Sequence, residues 1–373
     1  MTQRTKVLLV RPTLGQGGAD RVTLMLLEQL SRQQFDLTLA LMRREGPFAD
    51  RIPADVRVVD FQSRNLLTML WPLTRLLRRE RFDILFSTCS GTNPVLTLAS
   101  KLALWRGQRL VLSERNVLLH GKTTAKSRVM LLAKRLLYRY ADVVTAVSGG
   151  VRDDLVRHGV ANRNAIQVVF NPMVSEDIEN QSKLPVDHPW LCEREHPVIL
   201  AAGRLVFEKG FDTLVKAMAQ LRDKGVNARL LILGEGVLRP ELERLVESYD
   251  LGGVVSMPGF DPNPFRFMSR ADLFVLSSRN EGLPGVLIQA MACGTAAVST
   301  DCPAGPNEII SEPGENGLLV PVDNVDALAG ALSAMISKPA EERTRIGERG
   351  RQAVQLFRTE RVMQNYERAL MGT

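Results

Sequence analysis

The chain has 373 residues, of which 45% are hydrophobic and 24% charged, a composition typical of a soluble globular protein of about two domains. It has no apolar run approaching the ~20 residues of a membrane-spanning helix, its start does not resemble a secretory signal, and its four cysteines lack metal-ligand spacing. These features argue against an integral membrane protein and a disulfide framework, and we expect reduced thiols in a cytoplasmic protein.

Charge is divided unevenly between the two halves of the chain. Residues 1–172 carry 27 Lys and Arg against 13 Asp and Glu, a net charge of +14, whereas residues 173–373 carry 21 against 28, a net charge of −7. So basic a half predicts an anionic partner, either nucleic acid or a membrane surface. Because only 5% of residues are aromatic and no nucleic-acid module is recognisable, we expect no nucleic acid, which leaves an anionic membrane surface as the candidate partner.

Short apolar runs alternate with helical patterns along the first half. The predicted strands are residues 6–10, 36–41, 57–59, 83–87, 109–112 and 142–146. A helix is predicted over 21–31, after a glycine-rich turn. Such alternation, with strands that are apolar throughout, predicts a doubly wound parallel α/β sheet covered by helices on both faces.

The turn after the first strand contains Gly17 and Gly18. Glycines let a ligand approach the backbone closely, and a helix N-terminus favours anions. The dinucleotide fingerprint G-x-G-x-x-G is not met, because Asp20 stands where its last glycine belongs. The turn is compatible with an anion site but does not define one.

A polar loop and a basic helical stretch follow the strand at 109–112. The loop contains Arg115 and Asn116, with His120 nearby, and either a ligand contact or an ordinary polar loop fits it. Residues 122–139 contain no Asp or Glu, and their cations are Lys122, Lys126, Arg128, Lys134, Arg135 and Arg139. A basic amphipathic helix can lie on anionic lipid, and a solvated basic face over a core-facing stripe is the alternative.

The pattern restarts in the second half. Residues 172–197 are polar, contain proline and show no periodicity, so we expect a linker there. Further strands are predicted at 198–202, 229–233, 254–257, 273–276, 296–299 and 317–320, with helices that include 211–224, 240–249 and 285–292. A second doubly wound sheet follows from this, and ligands bind at the strand ends of such sheets.

Two cations, Arg204 and Lys209, lie in the loop between the strand at 198–202 and the helix at 211–224. Cations that precede a helix do not stabilise its dipole, so they are better explained as partners of a bound anion. Two solvated side chains on a surface loop are the alternative.

An acidic residue, Glu281, follows the strand at 273–276, and a Gly/Pro turn then leads into a helix that contains Gln289. The first turn of that helix offers the free N–H groups of Gly285, Val286 and Leu287. An anion and a polyhydroxyl ligand can be held together by such an arrangement. Together with Arg204 and Lys209, this favours a binding site over a polar loop.

The segment 281–289 resembles the E-x7-E region of the family-four retaining glycosyltransferases, with Gln289 in place of the second Glu. The resemblance implies a GT-B fold, in which two Rossmann-like parallel-sheet domains face a central cleft. It further implies an acceptor-binding domain at 1–172, a nucleotide-sugar-binding domain at 173–345 and a helical segment at 346–373 that packs back toward the first domain.

The same resemblance implies roles for individual residues. Glu281 orients the donor sugar, and Arg204 and Lys209 stabilise the leaving diphosphate, so these three form the catalytic set. Donor contacts are implied for Gly17, Gly18, Arg115, Asn116, Gly234, Gly259, Phe260, Gly282, Gly285, Val286, Leu287 and Gln289. The acceptor or membrane side is assigned to His120, Lys134, Arg135 and Arg139.

The implied function is a retaining, metal-independent transfer of a hexosyl group from a nucleotide-diphospho-sugar, with UDP-sugars favoured. The donor is a substrate, so no cofactor is expected. The acceptor is expected to be lipid-linked or a saccharide, in polysaccharide, lipopolysaccharide or glycolipid synthesis on the inner face of the plasma membrane. Because Gln289 replaces a Glu, a catalytically silent sugar-nucleotide-binding protein is the alternative, and a GT-B sugar-nucleotide epimerase is another. No oligomeric state is predicted.

Overall fold

The computed structural model describes residues 4–15, 17–104, 107–118 and 124–372. The chain divides into two compact units, one of Met1–Pro172 with Glu360–Thr373 and the other of Met173–Thr359. Each unit contains one parallel sheet, so the predicted pair of doubly wound sheets is confirmed.

The first unit is built on a seven-stranded parallel sheet in the order β3-β2-β1-β4-β5-β6-β7. The strands are β1 (Thr5–Arg11), β2 (Phe35–Leu41), β3 (Arg57–Asp60), β4 (Ile84–Ser87), β5 (Arg109–Glu114), β6 (Val143–Ala146) and β7 (Ile166–Val168). Helices α1 (Gly18–Gln29), α2 (Leu66–Arg79), α3 (Thr92–Leu102), α4 (Ala125–Leu137) and α5 (Gly149–Arg157) connect them. Strands β1 and β4 are buried along nearly all their length, as expected for a sheet with both faces covered.

The second unit has a six-stranded parallel sheet in the order β10-β9-β8-β11-β12-β13. Its strands are β8 (Val198–Ala202), β9 (Arg229–Leu233), β10 (Val255–Gly259), β11 (Leu273–Leu276), β12 (Ala297–Thr300) and β13 (Leu318–Val320). Its helices are α6 (Glu176–Ser182), α7 (Pro189–Glu193), α8 (Phe211–Asp223), α9 (Arg239–Ser248), α10 (Phe265–Met268), α11 (Gly285–Ala292), α12 (Pro306–Ile309), α13 (Val325–Ile336) and α14 (Ala340–Ala353).

The segment predicted as a linker, 172–197, is partly helical. It contains α6 and α7, and each buries one large apolar side chain, Ile178 and Leu191. Two helices of seven and five residues are too short to show a 3.6-residue period, which is why the sequence did not reveal them.

The chain changes units near its C-terminus. Helix α14 packs on the second unit so closely that a Cβ on Gly347 would meet the carbonyl of Gly294 at 2.0 Å. Helix α15 (Thr359–Met371) packs on the first unit instead, where the rings of Tyr366 and Phe86 have centroids 6.2 Å apart. The change of unit comes at Glu360, later than the predicted boundary at 346.

None of the helices in the part of the chain that the structure describes combines the length and the apolar character needed to cross a bilayer.

Candidate active site

In the second sheet the strand order reverses between β8 and β11, which are neighbours although two other strands separate them in sequence. At such a switch point the loops that leave two adjacent strands diverge and open a crevice at the carboxyl edge of the sheet. The loop after β8 carries Arg204 and Lys209, and the loop after β11 carries Glu281. The topology therefore brings together two loops that the sequence had singled out separately.

Lys209 and Glu281 are in direct contact. The Nζ of Lys209 lies 2.5 Å from Oε1 of Glu281, and the Ser278 hydroxyl donates to the same oxygen at 2.7 Å. The two side chains are 19% and 11% exposed, so both remain within reach of a ligand. A carboxylate that accepts from an ammonium and a hydroxyl is held in one orientation, and its second oxygen can accept from a further donor.

The two loops are also joined through their backbones. Gly210 has φ 61°, and a Cβ at that position would meet the carbonyl oxygen of Ser277 at 2.2 Å. The Ser277 hydroxyl donates to the carbonyl of Lys209 at 2.8 Å. Glycine is needed at 210 both for the left-handed conformation and for the close approach, which fixes the position of Lys209.

Arg279, which sequence reasoning missed, is the buried centre of this loop pair. Its guanidinium donates to both oxygens of Asp212 at 2.8 Å, to Asp323 at 2.7 Å and to the carbonyl of Phe207 at 2.8 Å. The hydrogen bonds to Asp212 raise the pKa of Arg279. Because Phe207 begins the 3₁₀ turn that ends at Lys209, Arg279 anchors the turn that presents the Lys209 ammonium.

Helix α11 begins at Gly285, shortly after Glu281 in the loop that follows β11. Among the described residues, the N–H groups of Gly285 and Val286 have no hydrogen-bond acceptor, whereas that of Leu287 donates to the carbonyl of Pro284 at 3.1 Å. The prediction that Leu287 offers a free N–H is therefore wrong, because the first turn of the helix closes as an i to i+3 turn. A Cβ at Gly285 would lie 2.6 Å from the Sδ of Met173, so a larger residue does not fit there.

Gln289 lies one turn into α11 and is partly buried, with no hydrogen bond to its amide in the described chain. Gly282 is buried in the turn before the helix. Arg204 is exposed just past β8, and its guanidinium pairs with no carboxylate in the segments described. The structure therefore brings Lys209 and Glu281 into contact and leaves Arg204 free to meet an anion.

Glycines end three adjacent strands of the second sheet. A Cβ on Gly234, at φ 139°, would lie 1.9 Å from the carbonyl oxygen of Gly203, and the Gly234 N–H donates to the carbonyl of Gly259 at 2.8 Å. Phe260 follows with its ring exposed. Gly234 and Gly259 are buried at this edge, and a Cβ on Gly259 would lie 3.0 Å from Oε1 of Glu235, so these glycines let the three strand ends pack closely beside the exposed Phe260 ring.

In the first unit, Gly17 and Gly18 form the N-terminus of α1. The carboxylate of Asp20 accepts from the N–H of Gly17 at 3.2 Å and forms an ion pair with Arg11. Arg11, at the end of β1, also donates to the carbonyl of Thr88 at 3.1 Å. Sequence reasoning missed Arg11, because nothing in a strand-end arginine indicates that it fixes the glycine turn.

Arg115 is buried, where it donates to Asn171 at 3.0 Å and to the Tyr366 hydroxyl at 3.3 Å. Burial, aided by the charge of Arg11, lowers the pKa of Arg115. Asn116 is exposed. His120 lies outside the described residues, so its assignment stays a prediction, as do the donor contacts of Arg115 and Asn116.

Lys134 does not belong to a basic surface, and its assignment to the membrane side is wrong. The residue is 2% exposed, and its Nζ lies 2.9 Å from Oε1 of Glu114, which is fully buried. Asn93 donates to the same oxygen at 3.1 Å and to the Tyr138 hydroxyl at 2.8 Å, and burial raises the pKa of Tyr138. Lys134 faces inward on α4, whereas Arg135 is exposed.

Comparison with known proteins assigns both halves to related families. A family model described as "Glycosyl transferases group 1" matches residues 189–353, and one described as "Glycosyl transferase 4-like domain" matches residues 17–172.

In the described segments, no three His, Cys, Asp or Glu side chains are grouped to hold a metal ion.

Similar proteins include an enzyme of Campylobacter jejuni, N-acetylgalactosamine-N,N'-diacetylbacillosaminyl-diphospho-undecaprenol 4-alpha-N-acetylgalactosaminyltransferase. It is 30% identical over 336 residues, 87% of this chain and 88% of that protein. The lipopolysaccharide core biosynthesis glycosyltransferase LpsE of Rhizobium meliloti is 27% identical over 342 residues, 91% of each chain. The structure of Anabaena HepE in complex with UDP and glucose superposes on this chain with a TM-score of 0.81 and 20% sequence identity. The match covers 99% of this chain and 100% of HepE, and it shows that this chain has a GT-B fold.

Proposed function

We propose that this chain, which belongs to the glycosyl transferases group 1 family, transfers a hexosyl group with retention from a UDP-sugar to a lipid-linked or saccharide acceptor. One observation carries the proposal. Lys209 and Glu281 meet at the switch point of the second sheet, and the loop that carries Glu281 leads into α11, where the N–H groups of Gly285 and Val286 have no acceptor among the described residues. A cation, a carboxylate and a helix N-terminus together match a ligand that is a diphosphate at one end and a sugar at the other.

The chemistry that these groups support is electrostatic. As the bond from the anomeric carbon to the diphosphate breaks, positive charge develops on the sugar and negative charge on the leaving phosphate. Lys209, Arg204 and the two N–H groups stabilise the leaving phosphate, a role that needs no metal. Glu281 accepts from donor-sugar hydroxyls and orients the ring. The acceptor oxygen forms its bond to the anomeric carbon on the face that the diphosphate leaves, and the leaving phosphate takes the proton of the acceptor hydroxyl.

The donor is placed in the unit of residues 173–359. The exposed ring of Phe260, next to the strand ends at Gly234 and Gly259, offers a surface for the base. Gln289 is one turn from the N-terminus of α11, where it can reach the ribose. The choice of UDP draws on Anabaena HepE, which binds UDP and glucose.

We place the acceptor against the first unit, residues 1–172 with 360–373. The Campylobacter jejuni relative takes a diphospho-undecaprenol-linked sugar by its name, and LpsE acts in lipopolysaccharide core synthesis. A lipid-linked acceptor in the assembly of a cell-surface glycan is the proposal that agrees with both, and it places the protein on the cytoplasmic side of the membrane.

The test is turnover of a panel of UDP-, GDP- and ADP-sugars, with polyprenyl-diphosphate saccharides and soluble saccharides as acceptors. Release of UDP together with a glycoside of unchanged anomeric configuration by NMR is the expected result. Binding of nucleotide without turnover of any donor would favour a silent binding protein. Conversion of the donor to an epimer, without formation of a glycoside, would favour an epimerase.

A further inference from the structure

The ring of Phe207 is held in an exposed position. It is 61% exposed in the loop between β8 and α8, and the guanidinium of Arg279 lies 4.2 Å from the centroid of the ring. The same guanidinium donates to the carbonyl of Phe207 at 2.8 Å, and it is fixed in turn by Asp212 and Asp323. One face of the ring is therefore backed by a buried cation, and the opposite face is open to a ligand.

The loop after β9 supports the loop that carries this ring. The N–H of Leu205 donates to the carbonyl of Glu235 at 2.9 Å, and the carbonyl of Leu205 accepts from the N–H of Leu238 at 3.0 Å. Between these two contacts Val237 is 84% exposed. The exposure of an aromatic and an aliphatic side chain is thus built into a pair of interlocked loops at the carboxyl edge of the sheet.

The ring stands close in the chain to the groups that would act on the donor. Phe207 begins the 3₁₀ turn that ends at Lys209, and the Nζ of Lys209 lies 2.5 Å from Oε1 of Glu281. An acceptor hydroxyl must reach the anomeric carbon of the donor at this pair. The sugar that carries the hydroxyl therefore approaches the loop that presents the ring.

The chemistry around Phe207 favours a sugar as the ligand. One face of a pyranose carries C–H bonds with partial positive charge, which suit the negative face of an aromatic ring. The hydroxyls at its edge need acceptors, and the carboxylate of Glu208 is exposed next to Phe207 and pairs with no cation in the part of the chain that the structure describes. A carboxylate beside the ring disfavours a phosphate, and two apolar side chains are far fewer than the roughly 20–30 residues of a protein interface.

The base of the donor is a less suitable occupant of this ring. Phe260, to which we assign the base, follows β10, and β9 lies between β10 and β8 in the sheet. Neighbouring strands are about 4.8 Å apart, so the ends of β8 and β10 are separated by about 10 Å. A base on Phe260 therefore leaves the open face of Phe207 to a second ligand.

We propose that Phe207 and Glu208 form a saccharide subsite in the second unit. A pyranose ring of the acceptor stacks on the open face of the phenyl ring, and one of its hydroxyls donates to the Glu208 carboxylate. The assignment of this sugar to the acceptor rests on the proposed sugar transfer, whereas the binding of a pyranose at Phe207 does not.

The first test is sugar binding without turnover. Saturation-transfer NMR titrations use the methyl α-glycosides of glucose, galactose and N-acetylgalactosamine in the presence of UDP. The variants are Phe207→Ala, Phe207→Leu, Phe207→Trp and Glu208→Gln. Tyr249→Ala is the matched control, because it removes a 38% exposed ring elsewhere in the second unit. Glu281→Ala reports on the donor-sugar pocket, and UDP affinity and the unfolding midpoint are measured on every variant.

At least one glycoside should bind the wild type, with the strongest saturation on the protons of one sugar face. Phe207→Ala and Phe207→Leu should raise its Kd about fivefold, because leucine supplies apolar area but no ring face. Phe207→Trp should stay within about twofold of the wild type, as should Tyr249→Ala and Glu281→Ala. Glu208→Gln should raise the Kd about threefold.

The second test is transfer to a saccharide acceptor, where Phe207→Ala should raise the KM of the acceptor about fivefold and leave the KM of the donor unchanged. A wild type that binds a glycoside through Phe207 but turns over no donor would refute the sugar transfer and leave the subsite intact. The subsite would be overturned if no glycoside bound, if Phe207→Leu bound like the wild type, or if Glu281→Ala lost the binding instead. A loss of UDP affinity in Phe207→Ala would place the ring in the donor site and would also overturn it.

Discussion

The ammonium of Lys209 lies 2.5 Å from the carboxylate of Glu281, although the two residues are 72 positions apart in the chain. Neither side chain is fully buried, so the pair is a part-exposed contact that a charged ligand can enter. A phosphate that binds Lys209 meets a cation already held in place, and a sugar hydroxyl meets a carboxylate already oriented. Preorganisation of this kind lowers the cost of reorganising the site during reaction.

Arg279→Lys should weaken both the fold and the site. A lysine keeps the charge but cannot reach Asp212, Asp323 and the Phe207 carbonyl together, so we expect the free energy of unfolding to fall by about 2 kcal/mol. If Arg279 positions Lys209, then Lys209→Ala should cost less activity in the Arg279→Lys background than in the wild type. Arg343→Lys is the control, because Arg343 binds Asp272 and two carbonyls elsewhere in the unit. Equal costs of Lys209→Ala in all backgrounds would refute the positioning role.

Gln289→Glu should tighten donor binding. A carboxylate accepts a stronger hydrogen bond from a ribose hydroxyl than an amide does, so the Michaelis constant for the donor should fall about tenfold with little change in kcat. Gln355→Glu, which places the same change on an exposed residue of the second unit, should have no effect. An unchanged Michaelis constant in Gln289→Glu would show that residue 289 does not hold the ribose.

Lys134→Met should destabilise the first unit. Removal of one partner from a buried ion pair leaves Glu114 charged and uncompensated, which costs about 3–5 kcal/mol. Lys126→Met, on the exposed side of the same helix, should cost less than about 0.5 kcal/mol by urea unfolding. Adding Glu114→Gln to Lys134→Met should restore part of the loss. If Lys134→Met were as stable as the wild type, the buried Lys134–Glu114 ion pair would be contradicted.

Stability should fall at alkaline pH. Burial raises the pKa of the Cys302 thiol from its ordinary value near 9 to about 12, so the unfolded chain loses this proton at a lower pH than the folded chain. The stabilisation is complete below about pH 9 and is lost as the pH rises toward about 12. At pH 10.5 the free energy of unfolding has fallen by about 2 kcal/mol.

The measurement is urea unfolding at pH 8 and pH 10.5. Cys302→Ala should reduce the difference between the two free energies of unfolding by about 2 kcal/mol, whereas Cys192→Ala, which alters an exposed thiol, should not. An identical pH dependence in the wild type and Cys302→Ala would contradict the buried, protonated state of this thiol.

The sequence predicted most of the fold because parallel strands buried on both faces are continuous apolar runs. Residues 198–202 and 273–276 coincide with β8 and β11 for that reason. The three-residue β7 was missed, because so short a run carries no periodic signal. Helix α6 was missed on the same ground, since it buries only Ile178.

The site was predictable where chemistry is local to a loop. Lys209 and Glu281 each stand next to a strand end and a helix start, and this position can be read from the chain. The roles of Arg279 and Lys134 depend on partners in other elements, Asp212 and Glu114, and sequence spacing does not disclose such pairs. The resemblance to the glycosyltransferase family therefore indicated Lys209 and Glu281 but neither the Arg279–Asp212 nor the Lys134–Glu114 pair.

The most direct test of the central claim is the kcat/KM of UDP-sugar turnover in Lys209→Ala, measured beside Lys224→Ala, which removes an exposed ammonium from the same unit. Loss of a cation that stabilises the leaving phosphate should lower kcat/KM by about 100-fold or more. Lys224→Ala should stay within about twofold of the wild type. Equal turnover by the wild type and Lys209→Ala would contradict the assignment of the Lys209–Glu281 pair as the centre of sugar transfer.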